Sequence, residues 1–248
     1  SGNGLHWAYT QGSAYINTSQ PGTVAVDRQI IGNYSSGHAS LSMDLDGDTL
    51  SASVYSGATS VPNKVEVYRW AGSQWINKGL PLSGQYSRLS ADGDSILLSS
   101  DATATVYDWN GSGWVARGAS ASGIGVVSDA SSSLNHVVFA DPYTDRSSPA
   151  ATDAGSVVIK HWNGAAWEQA GNTILGESAG DRIGGAVLND TGDRVLVWYV
   201  SVDSTNWSSL YDLYGAYRNG GTLIREYQLV NGRWKKIAEV EGDTEFGA

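Results

Sequence analysis

The sequence has no cysteine, two phenylalanines and one methionine in 248 residues. Because cysteine is absent, the chain can form neither a disulfide framework nor a thiolate metal site. Basic residues are scarce as well: 15 Lys and Arg stand against 25 Asp and Glu, which gives a formal net charge of −10. We therefore expect no nucleic-acid partner and no anionic membrane partner, since both are bound through clusters of Lys and Arg.

Long hydrophobic runs are also missing. The longest strongly apolar run covers residues 195–200, far short of the roughly 20 residues of a membrane-spanning helix. No signal peptide is visible in the sequence. We therefore expect no direct insertion into a membrane.

Motifs that carry catalytic or metal chemistry are not found either. The sequence has no His-Glu-x-x-His spacing, no Gly-x-Ser-x-Gly elbow and no phosphate-binding glycine loop. The histidines are scattered: His6, His38, His136 and His161. We predict no catalytic residues, no bound cofactor and no enzymatic activity.

Tryptophan and glycine, in contrast, are plentiful, with 10 and 31 copies, and they recur in a fixed phrase. In its plainest copy, residues 106–118, an apolar strand enters the turn Asn110-Gly111 and a second strand begins at Trp114. Asn-Gly predicts a hairpin because both residues tolerate the positive φ of a primed turn. Further copies occupy residues 65–75 and 157–167, with a shortened copy at 227–234 and a vestige without tryptophan at 22–26.

A second phrase precedes each of these copies except the vestige, and it reads as a strand, an Asp-rich or Gly-rich turn and another strand. It occupies residues 39–51, 87–98, 125–139 and 186–197. Each unit therefore holds four short strands. Four strands repeated at about 40–50 residues are typical of a β-propeller blade. Stacking of the blades is required because a single four-stranded sheet cannot bury both of its faces.

The repeats predict an all-β chain that forms one β-propeller domain over residues 1–248. We expect five four-stranded antiparallel blades. Residues 242–248 parallel residues 180–186, which open a blade, so we expect pairing of the N- and C-terminal strands to close the ring. The alternative is a fragment of a longer repeat array. The predicted blades cover residues 245–248 with 4–34, then 37–82, 85–121, 123–176 and 180–242.

The repeat resembles the FG-GAP-like repeats that are related to the propeller of integrin α-subunits. The resemblance lies in residues 180–195, which are similar to the start of such a repeat, and in the Val-x-Val-Tyr-x-Trp-x-Gly-x-x-Trp phrase. Phe246-Gly247-Ala248 and Phe139-Ala140-Asp141-Pro142 are similar to the two halves of the family's name motif. The resemblance implies an extracellular protein that adheres or assembles, usually without catalysis.

This sequence departs from integrin-type propellers in two respects. Those propellers have seven blades, and their calcium loops run Asp-x-Asp/Asn-x-Asp-Gly-x-x-Asp. The nearest match is Asp44, Asp46 and Asp48, which is too short and lacks the final ligand, whereas calcium needs six or more oxygen atoms. We therefore favour a tight Asp-Gly turn over a calcium site here.

Two insertions mark a candidate recognition face. The repeated tryptophans are expected to fill space between blades, but Trp207 lies in an aromatic insertion, and a polar insertion follows residue 140. Both insertions join second to third strands, so they should emerge on the same face, either as cover or as a contact surface for protein or glycan. The candidate contact residues are Trp207, Tyr211, Tyr214, Tyr217, Asp141, Tyr143 and Asp145.

Asn-x-Ser/Thr triplets indicate a secreted or cell-surface protein, although a chain rich in Ser and Thr contains some by chance. The candidate N-glycosylation sites are Asn17, Asn33, Asn110, Asn189 and Asn206. Taken together, the sequence predicts a non-catalytic adhesion or assembly module that binds protein partners or copies of itself through loops on one propeller face. The first alternative is a lectin with sites repeated from blade to blade. The second is a glycoside hydrolase, which would need two carboxylates near the central channel.

Overall fold

The computed structural model describes residues 6–10, 14–18, 26–29, 38–55, 64–100, 102–200 and 222–241. All regular secondary structure in these ranges is β-strand. Within the same ranges, no helix has the length and apolar character needed to cross a membrane. The chain divides into two compact units: residues 1–100, 104–120 and 132–134 form the first, and residues 101–103, 121–131 and 135–248 form the second.

The first unit contains three antiparallel sheets in chain order. The first sheet has the order β1-β2-β3, with β1 (His6–Thr10), β2 (Ala14–Thr18) and β3 (Val26–Gln29). The second has the order β4-β5-β6-β7 with β8 also beside β6, and comprises β4 (His38–Met43), β5 (Thr49–Tyr55), β6 (Lys64–Trp70), β7 (Trp75–Asn77) and β8 (Leu82–Ser83). The third has the order β9-β10-β11-β12, with β9 (Tyr86–Leu89), β10 (Ser95–Ser100), β11 (Thr103–Trp109) and β12 (Trp114–Ala116).

The second unit contains two larger sheets and a short hairpin. Its strands before the last sheet are β13 (Ala121–Ser122), β14 (Val126–Ala130), β15 (His136–Asp141), β16 (Arg146–Ser147), β17 (Ala150–Ala151), β18 (Ser156–Trp162), β19 (Trp167–Gln169) and β20 (Ile174–Leu175). Strands β14, β15, β18 and β19 form a sheet in that order, with β20 beside β18, and β16 and β17 form the hairpin. The last sheet has the order β21-β22-β23-β24, with β21 (Ile183–Leu188), β22 (Arg194–Val200), β23 (Thr222–Val230) and β24 (Arg233–Glu241).

The observed sheets confirm the predicted all-β class. Four sheets run through four consecutive antiparallel strands, as the two repeated phrases predicted, and the first sheet has three described strands. Antiparallel sheets of this size and order fit a propeller-like fold. The strand predicted to close the ring, residues 245–248, lies outside the described residues.

The hairpin predicted at Asn110-Gly111 forms, but the loop between Trp109 and Trp114 has four residues, and of Asn110 and Gly111 only Gly111 has positive φ. Asn110 Oδ1 accepts the backbone N–H of Ser112 at 3.0 Å and of Gly113 at 2.9 Å, while Gly111 has a φ of 93°. This arrangement fixes the register in which Trp109 lies opposite Trp114. An Asn side chain that bonds its own backbone is a turn former for this reason.

Tryptophan fills space between neighbouring sheets in both units, as predicted. In the first unit, the indole N–H of Trp114 donates to the carbonyl of Lys78 at 2.8 Å. In the second, Trp234 donates to the carbonyl of Ala170 at 2.7 Å. A glycine follows each of these carbonyls, and a Cβ atom on Gly171 would lie 2.9 Å from Trp234 Cδ1. The rings of Trp114 and Trp234 therefore occupy the space that a side chain at position 79 or 171 would fill.

A buried cation, Lys78, holds neighbouring sheets of the first unit together, and no motif in the sequence indicates this role. Lys78 Nζ donates to the carbonyl of Gly93 at 2.9 Å and to Asp94 Oδ1 at 2.7 Å. Arg117, in the same position of the next sheet, donates to the carbonyl of Leu134 at 3.1 Å. Gly93 and Leu134 are equivalent turn residues with positive φ. Each cation thus binds a carbonyl in the turn of the following sheet.

The glycine beneath Trp234 provides a test of this contact. We expect Gly171→Ala to lower the free energy of unfolding by about 1–3 kcal/mol, because the new methyl group meets Leu229 and Trp234 and φ is positive. The matched control is Gly164→Ala, since Gly164 also has positive φ but has nothing within 4 Å of its added Cβ. Urea unfolding of both variants measures the difference. Equal destabilisation would show that the backbone conformation, and not the tryptophan contact, requires glycine.

A pair of stacked histidines predicts a pH dependence of stability. His136 and His161 lie directly opposite on β15 and β18 with ring centroids 6.0 Å apart. Burial, with a further contribution from His161, lowers the pKa of His136 below its ordinary value of 6.5. The unfolded chain therefore binds more protons just below pH 6.5, so this contribution to stability is complete above that pH and is lost as the pH falls.

We expect His136→Gln to reduce the loss of stability between pH 7.5 and about pH 5, because the variant has no imidazole to protonate at this position. Urea unfolding midpoints at both pH values measure this effect. A variant that loses as much stability as the unchanged protein would contradict the assignment.

Candidate functional site

The connection between β15 and β18 is the insertion whose position the sequence predicted. It was expected to be a polar loop, but residues 146–151 form the hairpin β16–β17, in which Arg146 lies opposite Ala151. Residues 141–155 lie against residues 176–182, which precede β21, and we call these two segments the insertion face. Backbone bonds join them, from Gly176 N to the carbonyl of Gly155 at 3.1 Å and from Gly180 N to the carbonyl of Thr152 at 2.9 Å.

Asp141 and Asp145, two predicted contact residues, hold the insertion in shape. Asp141 accepts the backbone N–H of Tyr143 at 3.1 Å and the hydroxyl of Thr144 at 2.6 Å. Asp145 accepts the backbone N–H of Asp153 at 2.8 Å. Both carboxylates therefore serve local hydrogen bonds, which is a common role of Asp in turns.

Arg146 ties the hairpin to the second segment of the insertion face. Its guanidinium donates to the carbonyls of Pro149 and Gly176, both at 2.9 Å, and of Glu177 at 2.5 Å. A guanidinium supplies several donors in a fixed plane, so one side chain can satisfy three carbonyls at once. The sequence offered no signal for this role because the acceptors are backbone atoms, two of them about 30 residues away.

Asp153 and Arg182 form an ion pair that joins the two segments of the insertion face, and both have an unfavourable backbone conformation. Neither is glycine, yet their φ angles are 50° and 40°, a region that costs about 1–2 kcal/mol for a residue with a Cβ atom. Arg182 donates its backbone N–H to the carbonyl of Asp153 at 3.1 Å and its Nη2 to Asp153 Oδ2 at 2.9 Å. These two bonds hold both residues in the unfavourable conformation. Strain of this kind often marks functional sites.

Tyr143 and Arg182 together present an aromatic ring and a cation, and we call them the Tyr143–Arg182 patch. The guanidinium carbon lies 5.7 Å from the ring centroid, within the range of a cation–π contact. Tyr143 is 41% exposed. Among the described residues, the buried Nε of Arg182 has no hydrogen-bond acceptor. Tyr143 is thus the one predicted contact residue of this insertion whose functional group is not used to build the loop.

A charged cluster supports the second segment from beneath. Arg225 is buried, with its guanidinium 4.4 Å from the Tyr199 ring, and it pairs with Glu239 at 2.6 Å and Glu177 at 3.1 Å. Burial opposes its charge, but the bond with Glu239 raises the pKa of Arg225, and the same bond lowers the pKa of Glu239. The ion pair with Arg225 therefore holds Glu177 in place within the second segment.

The weak metal candidate is a turn in the structure. Asp44 is buried, and its Oδ1 accepts the backbone N–H groups of Gly47, Asp48 and Thr49 at 2.8–3.1 Å. Burial raises the pKa of Asp44. Asp46 and Asp48 are exposed, and no group of three or more His, Asp or Glu in the described ranges is placed to hold a metal ion. The Asp-Gly turn preferred from the sequence is therefore what forms.

The remaining candidates divide by what the structure covers. Asn110 is exposed and stays a candidate for glycosylation. Asn189 uses its amide nitrogen in bonds to Thr191 at 2.8 Å and Asp193 at 2.7 Å, so a glycan there would have to replace them. Asn17 lies in β2, where only the backbone is described. Outside the described residues lie Trp207, Tyr211, Tyr214, Tyr217, Asn33 and Asn206.

Solved structures similar to this chain share its fold. A protein of Bacteroides uniformis provisionally assigned as a 6-phosphogluconolactonase is 10% identical with a TM-score of 0.55, over 98% of this chain and 70% of that one. Hydrazine synthase of Kuenenia stuttgartiensis is 13% identical with a TM-score of 0.55, over 96% and 64%. A Desulfotomaculum acetoxidans protein of unknown function is 12% identical with a TM-score of 0.55, over 100% and 72%.

No protein-family model and no curated protein matches the sequence. The similar structures have propeller-like folds, and at these identities they establish the fold alone.

The prediction that the protein is not an enzyme is wrong. It relied on missing motifs and on a resemblance to adhesive propellers, but the provisionally assigned lactonase has the same fold. Catalytic groups in such folds come from residues distant in sequence, so a search for short motifs does not find them. The absence of short motifs in a chain of this fold therefore does not support the prediction.

Proposed function

We propose that this chain is a propeller of the FG-GAP-like repeat type that acts in adhesion or assembly at the cell exterior and binds a protein partner through its insertion face. One observation carries the proposal. An insertion outside the repeated sheets is held in a fixed shape by Arg146, Asp153 and Arg182, and it still leaves Tyr143 41% exposed. A fixed insertion with an exposed aromatic ring suits a binding surface.

The chemistry of the patch suits a protein partner. Tyr and Arg are enriched among the residues that dominate binding energy at interfaces. A loop already fixed before binding loses little conformational entropy on association, so more of the contact energy appears as affinity. In this proposal, the aromatic residues 207–217 extend the same recognition surface.

The proposed architecture is a closed ring of five blades. The sequence parallel between residues 242–248 and 180–186 supports a role for residues 245–248 as the fourth strand of the first sheet, which has three described strands. Pairing of this kind removes an unpaired sheet edge. A secreted or cell-surface location with a glycan on Asn110 completes the proposal.

A lectin with repeated sites is the weaker alternative. Within each hairpin the two tryptophan rings lie against each other, with centroids 5.2 Å apart for Trp109 and Trp114 and 5.6 Å apart for Trp162 and Trp167. The indole of Trp114 also donates to a neighbouring sheet. Rings engaged in this way have little free face for stacking on a sugar.

Photo-crosslinking tests the proposed binding surface. A photoreactive phenylalanine at position 143 should capture one defined protein in the native source, whereas the same group at Tyr86, another exposed tyrosine, should not. With that partner purified, Tyr143→Ala should weaken binding at least about tenfold, while Tyr143→Phe should bind nearly as the unchanged protein. Equal capture at both positions, or unchanged affinity of Tyr143→Ala, would rule out this face.

Hydrolysis of a sugar lactone is the second candidate function, favoured by the likeness to the provisionally assigned 6-phosphogluconolactonase. Release of acid from δ-lactones of sugars, with and without a phosphate group, measures this activity. We expect any turnover to persist in Tyr143→Ala, because the insertion face would then serve another role. A rate equal to that of buffer would leave binding as the function.

A further inference from the structure

The outermost strand of the last sheet is much longer than its counterparts. β24 (Arg233–Glu241) has 9 residues, whereas β7, β12 and β19 have 3 each. The chain leaves the edge after the short strand, and in the sheets that contain β7 and β19 it returns as β8 and β20 beside the third strand. The edges of those sheets are therefore short, and the edge of the last sheet is long.

One position in the repeat is a glycine after each of the short edge strands. Gly79, Gly118 and Gly171 directly follow the residues that close β7, β12 and β19 against the third strand, and Gly79 and Gly171 have φ values of 87° and 75°. In the last sheet Ala238 pairs with Glu226 after a β-bulge, and the next residue is Glu239. Glutamate does not favour positive φ, so the strand continues where the others stop.

The edge of β24 is uncovered. Among the described residues, only β23 pairs with it. Lys235, Lys236, Ile237 and the residues up to Val240 are exposed, with Ile237 at 46% and Val240 at 63%. At the start of the edge, Trp234 is buried and donates its backbone N–H to Asn172 Oδ1 at 2.9 Å, so the exposed part of the edge begins after it. A long exposed edge is a template for another strand.

The charges at the two ends of β24 select the partner. Arg233 and Lys235 near its start are basic and Glu241 at its end is acidic, while Lys236 and Glu239 are already paired with each other and with Glu177 and Arg225. A second copy in antiparallel orientation places the basic start of each strand opposite the acidic end of the other, whereas parallel pairing opposes like charges. Lysine on an edge usually prevents association, but here its charge is complemented by the same strand in reverse.

We propose that β24 is a self-complementary edge through which two copies of this chain pair antiparallel across a two-fold axis, extending the last sheet from one protomer into the other. Such an interface is isologous, so each contact occurs twice. The surface differs from the insertion face, and the proposal holds whether or not that face binds a partner.

Charge reversal on the two halves of β24 tests this pairing. Arg233 and Lys235 make no ion pair within the described ranges, so R233E/K235E changes the edge without breaking an internal contact. The complementary variant is E241K. We expect each variant alone to self-associate about tenfold more weakly than the unchanged protein, because opposed like charges occur twice in the interface. A mixture of the two variants should restore association, since each reversed half then meets an opposite charge.

Sedimentation of the full chain over a micromolar concentration range, with one variant fluorescently labelled in the mixture, measures these constants. The matched controls are K64E, on the exposed start of the interior strand β6, and D46K, in an exposed turn. They change the net charge equally per residue and should associate as the unchanged protein does. Circular dichroism checks that each variant folds. The single variants K235Q and E241Q replace any variant that does not fold, and each is expected to self-associate about threefold more weakly than the unchanged protein.

The proposal is overturned if the unchanged protein stays monomeric, if the reversed variants associate as tightly as it does, or if their mixture fails to associate. A result of this kind leaves the insertion face untouched, because Tyr143→Ala should not alter self-association in any case.

Discussion

Each unit depends on a tryptophan whose indole N–H reaches the backbone of the preceding sheet. Trp114 on Lys78 and Trp234 on Ala170 make the same contact in different units. The contact satisfies a buried donor and places a large apolar ring against backbone, which demands glycine beneath the ring. A four-stranded sheet cannot bury both faces, so this contact is what makes successive sheets stable together.

Much of this arrangement could be predicted because its causes are local. Asn110 and Gly111 specify their turn by φ preference and by a side-chain bond to neighbouring backbone. The repeated strands then follow from periodicity. The roles of Lys78 and Arg117 could not be predicted, since both donate to backbone carbonyls far along the chain. The equivalent position in the next copy is Ala170, so the cation is not part of the repeated sequence. Sequence repeats therefore indicate only the contacts that all copies share.

The candidate site was predictable in position but not in form. Spacing located the insertion, yet its conformation depends on Arg146 and Arg182, whose acceptors lie about 30 residues away in sequence. The aspartates predicted as contacts form turns, and Tyr143 keeps an exposed ring. The expectation of no enzymatic activity was wrong for a related reason. It was drawn from missing short motifs, whereas the fold is shared with a provisionally assigned enzyme, and residues that meet in space need not be close in sequence.

The connections between second and third strands differ greatly in length, from Ser100–Thr103 through Tyr55–Lys64 and Asp141–Ser156 to Val200–Thr222. Loop-closure entropy rises only with the logarithm of length, so a tenfold longer connection costs about 2 kcal/mol. The sheets on either side keep their registers. Natural variation can therefore lengthen and rewrite these connections at small thermodynamic cost, and relatives of this chain should diverge fastest there while their inter-sheet glycines change slowly.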